Sequence, residues 1–486
     1  MPILHTKLSL KKYNGDTKKI NKEIGDREVV TFEMPTTKLT ENIVPAYLAY
    51  KSIKEELMDE GNARMNLATF CQTSMEPEAI RLISETLEKN AIDKSEYPQT
   101  TEIENRCVAI LADLWHHNEK DGEFIGTSTI GSSEACMLGG MVLKFRWLDE
   151  IDKLVKANVI KDDPRRKPNI IISSAFQVCW EKFCVYWDIE MRCIPIDEKH
   201  MSLDPKQIEA FADENTIGVV AILGITYTGT YDDVLEIDRV VKQYNIKYDN
   251  KRPPLKIHVD GASGGFFAPF VSPYLKWDFS LENVVSISAS GHKYGLVYPG
   301  IGWVLWKDKK FVSEKLIFEV SYLGGKLATM AINFSHSASQ MLGQYYQFLR
   351  LGKKGYTAIQ LETRSVGLFF SSQIEKMNYF RIINDGNLLP IICWTLKEAD
   401  KVNWTLFDLS DELLTHGWQV PAYPLPKNME NVYIQRIVVR ADLTMDLATQ
   451  FIDDMKRSIE KLNSLYKDDK SASYNEKNKI ASGFTH

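Results

Sequence analysis

Lys293 sits in the run Ser286-Ile287-Ser288-Ala289-Ser290-Gly291-His292-Lys293-Tyr294-Gly295, where an apolar strand pattern gives way to small, hydrogen-bonding residues that lead to one amine. A surface lysine normally lies in a polar, periodic stretch. This one follows Asn283-Val284-Val285 and precedes the apolar Gly302-Trp303-Val304-Leu305-Trp306. A lysine at the end of a buried strand is partly desolvated, which depresses its pKa and frees the amine to form a Schiff base with an aldehyde cofactor. The competing reading is a solvated lysine in a tight turn. Asp260 closes Leu255-Lys256-Ile257-His258-Val259-Asp260, 33 residues before Lys293, and Gly261-Ala262-Ser263-Gly264-Gly265 follows it. An acid ending one strand and an amine ending the next can face one cleft, where the acid would keep a heterocyclic nitrogen protonated. A charge pair at ~4 Å in an effective dielectric of ~20 is worth roughly 4 kcal/mol. At about 1.4 kcal/mol per pKa unit, that pair would shift such a nitrogen by about three units. The bland alternative is an aspartate that caps its own turn.

Phosphate needs donors, and Thr129-Ile130-Gly131-Ser132-Ser133-Glu134-Ala135 offers them just before the helical stretch Cys136 to Trp147. Gly131 allows close backbone approach, while Ser132, Ser133 and the free N–H groups of a first helical turn suit an anion. The same serines would also serve as ordinary N-caps. Ser290 and His292 flank the amine and can reach the same anion. Gln177 follows the apolar Ile170-Ile171-Ile172, and Thr226 lies in Ile225-Thr226-Tyr227-Thr228-Gly229, two further strand ends. Each alone reads equally well as loop chemistry; together they converge on one site.

The elements that must position these residues are legible as alternating patterns. From about residue 125 to 306, short runs rich in branched side chains alternate with helical stretches. These runs include Ile217-Gly218-Val219-Val220-Ala221-Ile222-Leu223, Ile257-His258-Val259 and Val284-Val285-Ser286-Ile287. They have the composition of strands buried on both faces, so the predicted fold class is α/β, with a mainly parallel sheet in a large central domain and helices on both faces. In such sheets, function gathers past the carboxyl ends of the strands. Helical periodicity is expected over residues 41–58 and 76–90, and again over Gln340 to Leu351 and from Thr357. Strand-like Pro390 to Leu396 and Tyr433 to Val439 then alternate with helical Thr405 to His416 and Met445 to Leu465, which predicts a small C-terminal α/β domain. The expected partition is 1–60 for an N-terminal arm and helices, 61–350 for the large domain, 351–465 for the small domain and 466–486 for a mobile polar tail.

Bulk properties exclude several classes. A chain of 486 residues exceeds what one core usually supports. A net charge of −6 without a basic block argues against nucleic-acid binding through phosphate neutralisation. Seven scattered cysteines with no C-x-x-C pair suit a reducing compartment, give no metal-ligand spacing, and read as small core residues. The N-terminus has too little apolar sequence for a signal peptide or a membrane span, so a cytoplasmic location is expected.

Gly131-Ser132-Ser133-Glu134-Ala135, Val259-Asp260-Gly261-Ala262-Ser263-Gly264-Gly265 and Ser288-Ala289-Ser290-Gly291-His292-Lys293-Tyr294-Gly295 together resemble the motifs of the pyridoxal phosphate-dependent glutamate decarboxylases, a group with the fold-type I architecture. Asn66 to Thr73, Tyr322-Leu323-Gly324-Gly325, Asn333-Phe334-Ser335 and Gly417-Trp418-Gln419-Val420-Pro421-Ala422 extend the likeness from about Val30 to Leu465. The resemblance implies that pyridoxal 5'-phosphate is held covalently by Lys293, with Asp260 on its ring nitrogen, Gln177 against the ring face and Thr226 on the ring substituents. It places Ser132, Ser133 and His292 on the phosphate, joined by Ser335 of a neighbouring subunit. The active unit is then at least a homodimer, with a higher homo-oligomer such as a hexamer open. Thr69 and Phe70 would meet the distal carboxylate of L-glutamate, with Asn90 and Asp93 from the partner chain, and Arg436 would hold a substrate carboxylate through its planar fork.

An aspartate beside a substrate carboxylate implies activity favoured at acidic pH, because two like charges favour protonation of one. His336 stands where many relatives carry Arg or Lys, which bears on the phosphate contacts. Bacterial members carry a histidine near the C-terminus that closes the site as pH rises, and this chain ends Gly483-Phe484-Thr485-His486. Residues 466–486 contain no Trp and no strongly amphipathic basic face, so calmodulin binding is not expected. An aminotransferase, an aspartate decarboxylase or a non-catalytic scaffold are the competing readings.

Overall fold

The computed structural model describes residues 37–39, 43–163, 166–320 and 327–473. The expectations for residues 1 to 30, for Tyr322-Leu323-Gly324-Gly325 and for His486 lie outside the described residues. The chain divides into two units, Met1–Glu60 and Gly61–His486. In the first, the helix Ala46–Glu56 leads into a short 3-10 turn, Leu57–Asp59.

The second unit is built on a seven-stranded sheet of β1 (Ile125–Thr129), β2 (Asn169–Ser173), β3 (Glu190–Ile194), β4 (Thr216–Ile222), β5 (Ile257–Asp260), β6 (Val284–Ser290) and β7 (Gly302–Trp306). Their spatial order is β1-β7-β6-β5-β4-β2-β3. β2, β3, β4, β5 and β6 pair in parallel, while β7 runs antiparallel to both β6 and β1. Every residue of β2, β4, β5, β6 and β7 is buried, as their branched composition requires of strands covered on both faces. The helix Ser132–Lys156 packs tightly on this sheet: a Cβ at Gly139 would lie 2.3 Å from His258 Cε1 of β5. Parallel pairing brings the carboxyl ends of β2, β4, β5 and β6 to one edge, so residues far apart in sequence share one cleft.

A two-stranded ribbon follows, β8 (Phe318–Val320) with β9 (Leu327–Thr329). The long helix Ser339–Lys376 is interrupted at Gly352, whose φ of 53° is left-handed and suits glycine. This kink falls two residues past the expected end of the large domain. A four-stranded antiparallel sheet of β10 (Phe380–Asp385), β11 (Ile391–Leu396), β12 (Ala422–Pro424) and β13 (Tyr433–Val438) comes next, in the order β10-β11-β13-β12. Its helices are Leu406–Thr415, started by a Thr405–Asp408 capping box, and Met445–Leu465, capped by Thr444. Together they enclose a separate apolar cluster around Phe370, Trp394, Trp404, Trp418 and Phe451.

At the start of the expected tail, the hydroxyls of Ser471 and Ser473 donate to the Asp408 carboxylate at 2.8 and 2.6 Å, and Ser471 is buried. The carboxylate that completes the capping box has spare lone pairs, and the tail satisfies them. Residues 474–486 lie outside the described residues.

Candidate active site

The cleft is assembled at the strand ends. β5 delivers Asp260, only 3% exposed, whose Oδ2 accepts from Trp180 Nε1 at 2.8 Å and whose Oδ1 accepts from the Ala262 N–H at 3.1 Å. Two donors fix the carboxylate in one orientation. β6 ends at Ser290, and the turn after it presents Lys293, whose Nζ donates to Ser263 Oγ at 3.2 Å and lies 4.5 Å from the centre of the Phe70 ring. Burial is the largest influence on the Lys293 amine and lowers its pKa below the ordinary lysine range. Asp260, Cys136 and Cys179 pull the other way, and Arg436 adds to the lowering. The free amine is therefore more abundant at a given pH than on a solvated lysine, which favours nucleophilic use over a structural ion pair.

Next to this turn, Ser290 Oγ and His292 Nδ1 are buried and have no hydrogen-bond partner among the described residues. Buried polar atoms are ordinarily paired, so two unpaired polar atoms at one strand end mark a place for a polar ligand. The His292 pKa is lowered to about 4, first by burial and then by Lys293, so the imidazole is neutral near pH 7.

The serine-rich segment differs from an ordinary cap. Gly131 is the N-cap of the helix Ser132–Lys156 and contributes no side-chain bond, so Ser132 and Ser133 fall in the first turn. A Cβ on Gly131 would meet nothing within 4 Å, whereas one on Gly302 of β7 would lie 2.4 Å from the Gly131 carbonyl carbon. The helix start is thus pressed against the sheet on one side and open on the other. Glu134 steers the surroundings: Oε2 accepts from Ile130 N–H at 3.0 Å, and Oε1 accepts from the N–H groups of Ile332 and Asn333 at 2.9 and 3.0 Å. Gln177 caps the helix Val178–Tyr186, its Oε1 accepting from Cys179 N–H at 2.6 Å, and Thr226 lies in the turn after β4.

Across the cleft runs a strap, residues 63–73. Arg440, 1% exposed, donates to the carbonyls of Asn66 (2.7 Å), Thr69 (3.1 Å), Ala63 (3.1 Å) and Arg64 (3.3 Å). Gln72 ties the strap to the lysine turn, its N–H donating to His292 O at 3.0 Å and its Nε2 to Lys293 O at 3.3 Å. Phe70 is held over the amine in this way. The Arg436 guanidinium of β13 stands 4.9 Å from the same ring, donates to Ala68 O at 3.1 Å, and leaves Nε without a partner among the described residues. Lys293 and Arg436 are thereby brought to the same Phe70 ring, with the buried Asp260 close enough to Lys293 to act on its amine electrostatically.

Ser335 and Asn90 form a second group. Asn90 Nδ2 donates to the exposed Ser335 Oγ at 3.4 Å, and Asn90 Oδ1 accepts from His336 N–H at 3.3 Å, while Asp93 Oδ1 accepts from Glu96 N–H. Their described hydrogen bonds include none with Lys293, Asp260 or Arg436. Sequence reasoning missed Trp180, Arg440 and Glu134. Arg440 pairs with Asp442 at 3.5 Å but spends its other donors on main-chain acceptors, which have no signature in side-chain pattern.

Comparison with known proteins shows which family the chain resembles throughout. Residues 43–397 match the family model described as the pyridoxal-dependent decarboxylase conserved domain. The chain is 57% identical over 455 residues to a glutamate decarboxylase of Lactococcus lactis, covering 94% of this chain and 96% of the relative. It is 58% identical over 434 residues to glutamate decarboxylase beta of Listeria monocytogenes, covering 89% and 92%. The solved structure of Lactobacillus brevis glutamate decarboxylase superimposes with a TM-score of 0.84 at 56% identity, covering 89% of this chain and 96% of that one.

Proposed function

This chain belongs to the pyridoxal-dependent decarboxylase family and uses pyridoxal phosphate, and from that premise we propose that it removes the α-carboxyl group of L-glutamate to give 4-aminobutyrate and carbon dioxide. The observation that carries the reading is the meeting of the Lys293 amine, the Phe70 ring and the Arg436 guanidinium in front of a buried Asp260.

The residues fit the coenzyme. The unpaired Ser290 Oγ and His292 Nδ1 and the open helix start at Ser132 and Ser133 suit a phosphate, and the doubly anchored Asp260 suits a cationic ring nitrogen. When bound, the coenzyme supplies an electron sink for the pair left as carbon dioxide departs. Lys293 would hold the coenzyme through its buried amine, which would also be the group the substrate amine replaces. Asp260 would keep a ring nitrogen protonated, and Gln177 and Thr226 would contact the ring from the ends of β2 and β4. Ser335 of the partner subunit completes the phosphate site in a homodimer or larger homo-oligomer. Thr69 and Phe70 line the side-chain end of glutamate, joined by the partner's Asn90 and the partner's Asp93. No helix among the described residues is long and apolar enough to cross a membrane, and we place the enzyme in the cytoplasm.

Arg436 holds a substrate carboxylate, so Arg436→Lys, which keeps the charge and loses the planar fork, raises KM more than it lowers kcat. The expected rise is about 10- to 100-fold, equivalent to about 1.5–3 kcal/mol for a hydrogen bond to a charged group. Steady-state kinetics check this; an unchanged KM removes Arg436 from the substrate site.

Activity rises as pH falls below neutral, because Asp93 beside a substrate carboxylate favours the state in which one of the two is protonated. The decisive assay measures carbon dioxide release from glutamate and from aspartate, with product identification, at about pH 5 and about pH 7.5. Release from glutamate, larger at the lower pH, is expected. Preferential turnover of aspartate, or amino transfer without carbon dioxide, overturns the substrate assignment, and a flat profile overturns the pH reading alone.

A further inference from the structure

Behind the Lys293 pocket, three buried groups converge from separate elements. Cys136 comes from the helix Ser132–Lys156, Cys179 from the helix Val178–Tyr186 and Asp260 from β5. They are 1%, 4% and 3% exposed, and their two sulfurs and a carboxylate oxygen lie within 4.8 Å of one another. In sequence the two cysteines are 43 residues apart, so no spacing rule finds them.

We propose that the coenzyme-free chain binds a thiophilic divalent cation, such as zinc or cadmium, through Cys136 Sγ, Cys179 Sγ and Asp260, and that this ion excludes the coenzyme. Ligands about 2.3 Å from a tetrahedral zinc stand about 3.8 Å apart, so the observed cluster needs to contract by at most about 1 Å. Two thiolates and a carboxylate suit such an ion, and three protein ligands leave one position open. On binding, each thiol releases its proton to solvent and a metal–sulfur bond replaces the S–H bond; no oxidant or reductant is required.

The supporting shell is already built. Cys136 Sγ lies 3.3 Å from Ser288 Oγ, which is 3.1 Å from His258 Nε2, and His258 Nδ1 is 2.8 Å from Ser286 Oγ. Asp260 is held by Trp180 Nε1 and the Ala262 N–H. Such outer partners orient ligands and raise affinity. The ion and the coenzyme compete because both need the Asp260 carboxylate. Only this competition rests on the role proposed above for Asp260; ion binding itself involves neither substrate nor turnover, so the two readings fail separately.

The test uses the full chain freed of coenzyme, titrated with cadmium and followed by thiolate-to-cadmium absorbance in the ultraviolet. One tightly held ion per chain is expected. Affinity should fall by about 100-fold or more in Cys136→Ser and in Cys179→Ser, and about 10-fold in Ser288→Ala, which removes only an outer partner. Cys71 and Cys193, the thiols that are not fully buried, give a background common to all variants. In the unaltered chain, bound cadmium should block coenzyme loading until a chelator is added, and coenzyme-loaded protein should not bind the ion at this site. An undiminished thiolate band in the double cysteine variant overturns the proposal. So does coenzyme loading at an unchanged rate with cadmium bound, an outcome read on unaltered protein and therefore independent of whether the variants fold.

Discussion

Lys293→Ala is expected to lose turnover by roughly 10⁴-fold or more, as removal of a covalent catalytic group does, together with the near-visible absorbance of the amine-bound coenzyme. The loss should not come from unfolding. Lys293 Nζ makes one hydrogen bond, to Ser263 Oγ, and one ring contact, to Phe70. Each is worth about 1 kcal/mol, and burying an amine offsets part of that. Thermal unfolding should therefore change little while catalysis disappears. Retained activity, or a parallel collapse of stability, contradicts the role given to this amine.

Asp260→Asn is expected to lower kcat by about 10³-fold, from about 4 kcal/mol of charge pairing with the ring nitrogen. The substitution is nearly isosteric, so the deficit isolates charge from shape. The amide has one oxygen for the two donors that Asp260 satisfies, Trp180 Nε1 and the Ala262 N–H. One buried donor goes unpaired, at a stability cost of about 1–3 kcal/mol. Coenzyme should still load, because the phosphate contacts and Lys293 are intact. Single-turnover kinetics on coenzyme-loaded variant protein separate the two effects; a kcat near that of the unaltered enzyme would remove the acid from the chemistry.

The central sheet was legible because branched residues fill strands buried on both faces. β2, β4, β5 and β6 lie within a residue or two of the apolar runs, except that β6 extends through Ser290. Its last three residues, Ser288-Ala289-Ser290, pair with Gly302, Trp303 and Val304 of β7, which tolerates small side chains in a strand. The cleft was legible for a related reason: parallel strands put their polar ends at one edge, so Asp260 at the end of β5 and Lys293 in the turn after β6 fall on the same side of the sheet. The antiparallel sense of β7 was not legible, since an apolar run has no direction. Neither was the strap over the amine. Thr69 and Phe70 were recognised by resemblance, but what holds them is Arg440 bonding four main-chain carbonyls. Gln177 and Ser132 show the opposite case, because both sit at helix starts and only the structure distinguishes them: Gln177 caps its helix, while Gly131 leaves the other start uncapped. The Cys136–Cys179 approach depends on two helices meeting over β5, a tertiary event with no local pattern.

Neutral groups dominate the expected phosphate site, which bears on its pH response. His292, with its pKa lowered to about 4, gains charge only near or below that pH. In the coenzyme-free chain its protonation state is therefore constant over the mildly acidic range. The depressed Lys293 pKa does not add to a rise in activity toward acid pH; it only lessens the loss of free amine as pH falls.

The most direct measurement reduces the coenzyme-loaded enzyme with borohydride, digests it, and locates the pyridoxyl group by mass spectrometry. The label is expected on the peptide containing Ser290-Gly291-His292-Lys293, at Lys293 and at one equivalent per chain. A label on another lysine, such as Lys256, whose pKa burial lowers to about 8, would contradict the account at its foundation.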